Sequence, residues 1–314
     1  MALSLAAAAS QRVRIVPSFT LGETLRYKIE TRMESSGKST TPIENPQGGS
    51  QFKQTTSLIL RLDVLDVQPG AKYAPGRTRL RATCEKSGSE SESDAYDPAS
   101  PSLDEQYRRL EGHSIEFTIE PTGEVTNFKG LDEIFPTRAA AEPLLSWTRE
   151  LSSENSFPPN GIVIGQKWGN ERPLTNTPLA GLVWRCESTY VRNEPCGGPG
   201  DTKATGKTPD ATAGVCAVVL TRFEISRHGS ANADATPEDY RRNGLRTSGK
   251  WTGSGEGLDL VSIARGLLVS STQDSTQDMD YEIVSAVSGA RIHQVRKVTS
   301  HTEVTLVPLA SPQS

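Results

Sequence analysis

The sequence has no long hydrophobic run, no surplus of one charge, no paired-cysteine motif and few aromatic residues. Each absence removes a class of function. Nothing in the 314 residues approaches the roughly 20 apolar positions that a membrane helix requires, and runs such as 217–220 are far too short. With 34 basic against 38 acidic residues and a net charge of −4, there is no concentrated basic surface for nucleic acid. The four cysteines form no C-x-x-C pair, which excludes zinc-ribbon and thioredoxin chemistry on spacing. Aromatic residues make up 6%, too few for a stacking platform, so Trp168, Trp184 and Trp251 read as core residues.

The four histidines, His113, His228, His293 and His301, include no H-x-H or H-x-x-x-H spacing. On a regular strand His293 and His301 would stand ~26 Å apart, too far to share one metal. No metal ligand set and no cofactor are expected. The segment 200–208 resembles a phosphate loop, but five residues instead of four separate its glycines, and no helix pattern follows. Thr252 occupies the position where a serine-nucleophile turn needs glycine, so 252–257 reads as a glycine-rich strand bend. Acidic residues cluster at Glu90, Glu92, Asp94 and Asp97, and at Asp274, Asp278 and Asp280. Carboxylate pairs serve glycoside hydrolysis or calcium binding. The spacing matches neither, and solvated loops are the expectation.

What the sequence does contain is alternation. Residues 25–31 and 56–67 alternate apolar with polar side chains, and similar segments recur to residue 307. Turn residues at short intervals point to antiparallel pairing. The fold class expected is mainly β, with antiparallel sheets in two similar halves joined by one substantial α-helix. That helix is expected over Arg138–Ser153, starting nearer Ala141 because of Pro143, with Leu144, Leu145, Trp147 and Leu151 as its apolar stripe. Two short helical turns are expected as well. One starts at the capping box 102–105 and ends near Gly112. The other is capped by Thr236 with Pro237 in first position, and ends at Gly244.

The halves suggest an internal duplication. Gly22 and Gly165 each open a strand, Arg61–Val64 parallels Arg222–Ile225, and Gly123 matches Gly266. The organisation read from this is a tail or signal-peptide remnant over 1–11, a first β half over 12–130, a connecting helical segment over 131–159, a second β half over 160–308 and a tail over 309–314. Residues 34–49, 85–102 and 193–213 read as polar loops.

The N-terminus offers an Ala-rich run with an A-x-A-like site at Ala7–Ala9 but no basic start. A trimmed export signal and a plain tail both fit. Cys196 lies in a Gly/Pro loop, and Cys216 is its nearest partner for a disulfide. Unpaired, buried cysteines are the alternative.

Residues 21–27 (L-G-E-x-L-x-Y), 117–125 (F-x-I-x-P-x-G-x-V), 163–168 (V-I-G-Q-K-W) and the glycine-punctuated 255–266 together resemble uncharacterised secreted β-rich proteins of bacterial envelopes. The chain is also loosely similar to the periplasmic lipoprotein-carrier fold, whose concave face holds acyl chains. The resemblance implies a periplasmic or extracellular address and carries over no site residue. The expectation is a non-catalytic exported protein, not membrane-spanning and without nucleic acid, acting as a structural or protein-interaction module with another envelope protein as partner. Binding of an apolar, lipid-like ligand is the first alternative. A hydrolase using carboxylates is the second.

Overall fold

The computed structural model describes residues 12–40, 50–70, 76–94, 103–121, 124–134, 157–175, 177–197, 214–227 and 234–307. Among them run eleven strands: β1 (Thr24–Thr40), β2 (Ser50–Gln68), β3 (Arg77–Ser93), β4 (Ser114–Ile119), β5 (Val125–Lys129), β6 (Lys167–Pro173), β7 (Leu182–Pro195), β8 (Val215–Arg227), β9 (Leu245–Ser262), β10 (Leu268–Ser285) and β11 (Arg291–Val307). Three short helices accompany them: α1 (Leu103–Arg108), α2 (Leu131–Ile134) and α3 (Glu238–Arg242). The helix expected over Arg138–Ser153 lies outside the described residues, as do the N-terminal run 1–11, the phosphate-loop-like segment 200–208, Asp97 and His228.

All strands belong to one sheet in the order β5-β4-β3-β2-β1-β11-β10-β9-β8-β7-β6. Every strand pairs antiparallel with its chain neighbour except across one place, between β5 and β6. The ladder between β1 and β11 joins Arg26–Thr40 to 293–307, so segments 12–130 and 160–308 share one sheet. Both outer edges are short strands of 5 and 7 residues, the second ending in Pro173. Short edges and a proline limit sheet-to-sheet addition.

The polar segments expected as loops are in large part strand. Residues 34–40 complete β1, 85–93 complete β3, and Asp274, Asp278 and Asp280 lie within β10. Composition misleads here because neighbouring strands supply the backbone hydrogen bonds, and serine on one face with charge on the other needs no core. The last part of β3 has no strand beyond it, since β4 pairs only with residues 78–83. Helix α1 takes that place. The Ser87 and Ser89 amides donate to the carboxylates of Glu111 and Asp104, and the Ser87 hydroxyl donates to the Tyr107 carbonyl.

Helix α3 corrects a second expectation. Pro237 is its N-cap and no side chain caps it. The Thr236 hydroxyl instead accepts from the Thr247 amide at 2.9 Å and donates to the Thr247 carbonyl. The helix ends at Gly244 with φ +68°, as the glycine required.

The main core lies on β1–β4 and β11, where Leu25, Tyr27, Leu62, Leu80, Phe117 and Leu306 are buried together. A second cluster joins Ile162, Tyr190, Val219 and Val261 to Ile15 of the N-terminal segment. That segment is bound to the β9–β10 corner, where Arg265 meets the Glu23 carboxylate at 2.6 Å and donates to the Ser18 carbonyl. A third cluster gathers Leu179, Leu182, Ile225 and Ala235, with Trp184, Trp251 and Tyr281 against it.

Candidate functional site

Alternate residues of a strand share a face, and the register therefore assigns every strand residue to one of two faces. They differ sharply in charge. One face carries Arg26, Lys28, Glu30, Arg32, Glu34 and Lys38 from β1, and Asp274, Asp278, Asp280 and Glu282 from β10. On the other, the charged residues of the described strands are Asp259, Arg172, Arg227 and Arg296.

On the charged face one row runs Arg32, His301, Asp274, Glu256, Arg222, Glu187 across six strands. Opposite charges meet within it, and a shallow groove of about 620 Å³ lies over its centre. His301 Nε2 is 2.9 Å from Glu303 Oε1, and Nδ1 is 2.8 Å from Asp274 Oδ1. Hydrogen bonds to Glu303 and then Asp274 raise the imidazole above its ordinary pKa, and His301 in turn lowers Glu303. With both ring nitrogens committed, His301 has none left to take a substrate proton. His293 pairs likewise with Asp280 at 2.7 Å. The two histidines share a face but bind different carboxylates, and among the described residues no group of three or more His, Cys, Asp or Glu could hold a metal ion.

Glu90 and Glu92 stand on the charged face of β3, paired in register with Thr55 and Lys53, while Asp94 accepts the Gln51 amide. The acids of β3 and β10 thus sit four strands apart in the sheet order and do not converge.

The uncharged face is layered. At the level of Thr31 the register aligns Ser89, Thr56, Thr31 and Thr302, then Gln273, Gly257, Thr221 and Ser188. The row is a belt of hydroxyl, amide and glycine across eight strands, and Thr31–Thr302 and Ser188–Thr221 bond across it. One level towards the main core sits Asp259, which accepts from Ser271 at 2.6 Å; burial raises its carboxyl above the usual range. Beyond the belt, on the side away from the main core, apolar residues return. Met33, Phe52, Met279, Ile283, Ile292 and Val298 are half-buried and belong to none of the core clusters. This strip borders Trp251 and Tyr281 of the third cluster. There Trp184 stacks on Phe223 at 4.1 Å with Arg172 above it.

The structure joins Cys196 to Cys216 in a disulfide with a Cα–Cα distance of 4.9 Å. Cys84 and Cys186 are free. The Trp184 indole N–H donates to Cys186 Sγ. Sequence reading missed the strip and Arg296. Strand parity was the available signal, but β11 (R-I-H-Q-V-R-K-V) mixes apolar and basic residues at both parities, so its face shows only from its partners.

No family model and no curated protein matches the chain. Among solved structures it is similar to lipovitellin, in a study of lipid–protein interactions, at 11% identity and TM-score 0.43 over 95% of this chain. The chain spans 27% of the length of that lipovitellin chain. Lower similarity is found to the outer membrane protein OprG of Pseudomonas aeruginosa, at 7% identity and TM-score 0.18 over 94% of this chain and 100% of that one. OpdQ of the same organism matches at 7% identity and TM-score 0.22, over 90% and 99% respectively.

Proposed function

We propose that this is an exported, non-catalytic binding protein whose uncharged sheet face takes an apolar ligand. The observation that carries the reading is the strip formed by Met33, Phe52, Val298, Met279, Ile283 and Ile292, half-buried but packed in none of the core clusters of the described residues. Charge is removed from that face and concentrated on the other, which suits contact with water and not with acyl chains. Among the described residues no helix is long and apolar enough to cross a membrane. The Cys196–Cys216 disulfide supports an oxidising, extracytoplasmic address.

A duplication of a five-strand unit fits the same frame. Gly22 donates to the Val64 carbonyl while Val64 donates to the Glu23 carbonyl; Gly165 and Gln166 exchange the same two bonds with Tyr190. Each turn thus ties the entry of a unit's first strand to its second, and α1 and α3 both fall between third and fourth strands. The Arg61–Val64 and Arg222–Ile225 match drops out, because β2 and β8 occupy unequal places in the two units. On this reading β11 is an added strand that stitches the units together and carries Val298 and Ile292 of the strip.

Native mass spectrometry of the full chain with a long-chain fatty alcohol tests the function. A 1:1 adduct that Met279→Asp and Val298→Asp abolish is expected. No adduct with the wild-type chain would overturn the reading.

A further inference from the structure

Three of the four charged residues on the uncharged face are committed to partners. Asp259 accepts the Ser271 hydroxyl, the Arg172 guanidinium lies 5.5 Å from the centre of the Trp184 ring, and Arg227 Nε donates to the Ala180 carbonyl at 3.2 Å. The fourth, Arg296, is exposed and has no ion pair or hydrogen-bond partner among the described residues. In the register it stands level with Gly37 on one side and with Met279 and then Trp251 on the other, while Val298 is the next residue along β11 on the same face. Gly37 puts no side chain next to it. An exposed cation therefore borders an apolar strip on a face whose other charged strand residues are engaged with partners.

We propose that Arg296 binds the carboxylate of a single-chain fatty acid whose alkyl chain lies on the Val298, Met279 and Trp251 strip. The proposal rests on the function proposed above and adds the class of ligand. A guanidinium offers a carboxylate two parallel N–H donors, and apolar surface beside it takes the chain, so the pair recognises an anionic amphiphile better than a neutral one of equal length. Such a ligand leaves the opposite, charge-matched face in water.

The experiment is quenching of tryptophan fluorescence in the full chain by a dibrominated C18 fatty acid and by the dibrominated alcohol of the same length, since bromine quenches only at close range and Trp251 borders the strip. The acid is expected to bind about tenfold more tightly than the alcohol, the equivalent of one charge-assisted hydrogen-bonded pair. Arg296→Gln is expected to remove that preference and leave alcohol binding unchanged. Equal binding of acid and alcohol to the wild type would overturn the role of Arg296 and leave the apolar face standing. Quenching by neither would overturn both. A preference that persists in Arg296→Gln assigns the carboxylate to another cation and likewise overturns the proposal. Arg296 is exposed, and circular dichroism with a thermal melt confirms that the variant folds.

Discussion

Gly255 of β9 lies beneath the ring of Phe223 of β8: a Cβ at position 255 would stand 2.3 Å from Phe223 Cζ and 2.2 Å from the Asp274 carbonyl oxygen. Gly255 of the 252–257 segment is therefore space for a ring. It does not expose a nucleophile, and Ser254 points to the opposite face, at the groove.

Gly255→Ala forces the ring or the backbone to move, and both are held by paired strands. A loss of about 1–3 kcal/mol is expected, the usual cost of overpacking. Urea denaturation should show a lower midpoint with an unchanged slope. An unaltered midpoint would mean that Phe223 shifts freely.

His301 supplies a pH dependence whose sign follows from its raised folded pKa. The stabilisation from Glu303 and Asp274 is complete below the unfolded histidine value of about 6.5 and is lost as pH rises through the folded value. NMR titration of the imidazole should place its midpoint above that of free histidine. Glu303→Gln should lower it, because the larger of the two contributions is gone. A midpoint insensitive to this change would remove the pairing.

Asp259 acts in the same direction, through burial and not through a partner. Its folded pKa is raised by burial, so the folded state retains a proton that the unfolded chain releases. Stability falls as pH climbs through the folded value. Asp259→Asn should raise stability at pH 7 by on the order of 1 kcal/mol and change it little at pH 3. Melts at the two pH values decide the matter, and a loss at pH 7 would show that the ionised carboxylate serves the fold.

The free edge of β3 depends on two carboxylates. Replacing Asp104 and Glu111 together with alanine leaves the Ser89 and Ser87 amides without their acceptors. Faster hydrogen exchange at these amides is expected, together with concentration-dependent light scattering, because an uncovered edge invites strand addition. Exchange unchanged from wild type would mean that water serves as well as the side chains.

Much of the molecule was legible before any coordinate. Alternation over 25–31 and 56–67 marked strands because burial on one face leaves a period of two in the sequence itself. Gly112 and Gly244 marked helix ends for a reason equally local: both take positive φ. Cys196 and Cys216 flank one Gly/Pro-rich segment of the sequence, which made them the candidates for a disulfide.

The rest was decided by partners far away in the chain. Serine- and charge-rich residues at 34–40 and 85–93 look like loop until neighbouring strands fill their backbone hydrogen bonds. Thr236 looks like a cap until β9 offers its backbone instead. The pairing of β1 with β11, from opposite ends of the chain, sets which parity of β11 faces which side. Arg296 therefore falls beside Met279 and not beside Asp278. Local periodicity records that a strand has two faces. Only the tertiary register determines what stands next to each.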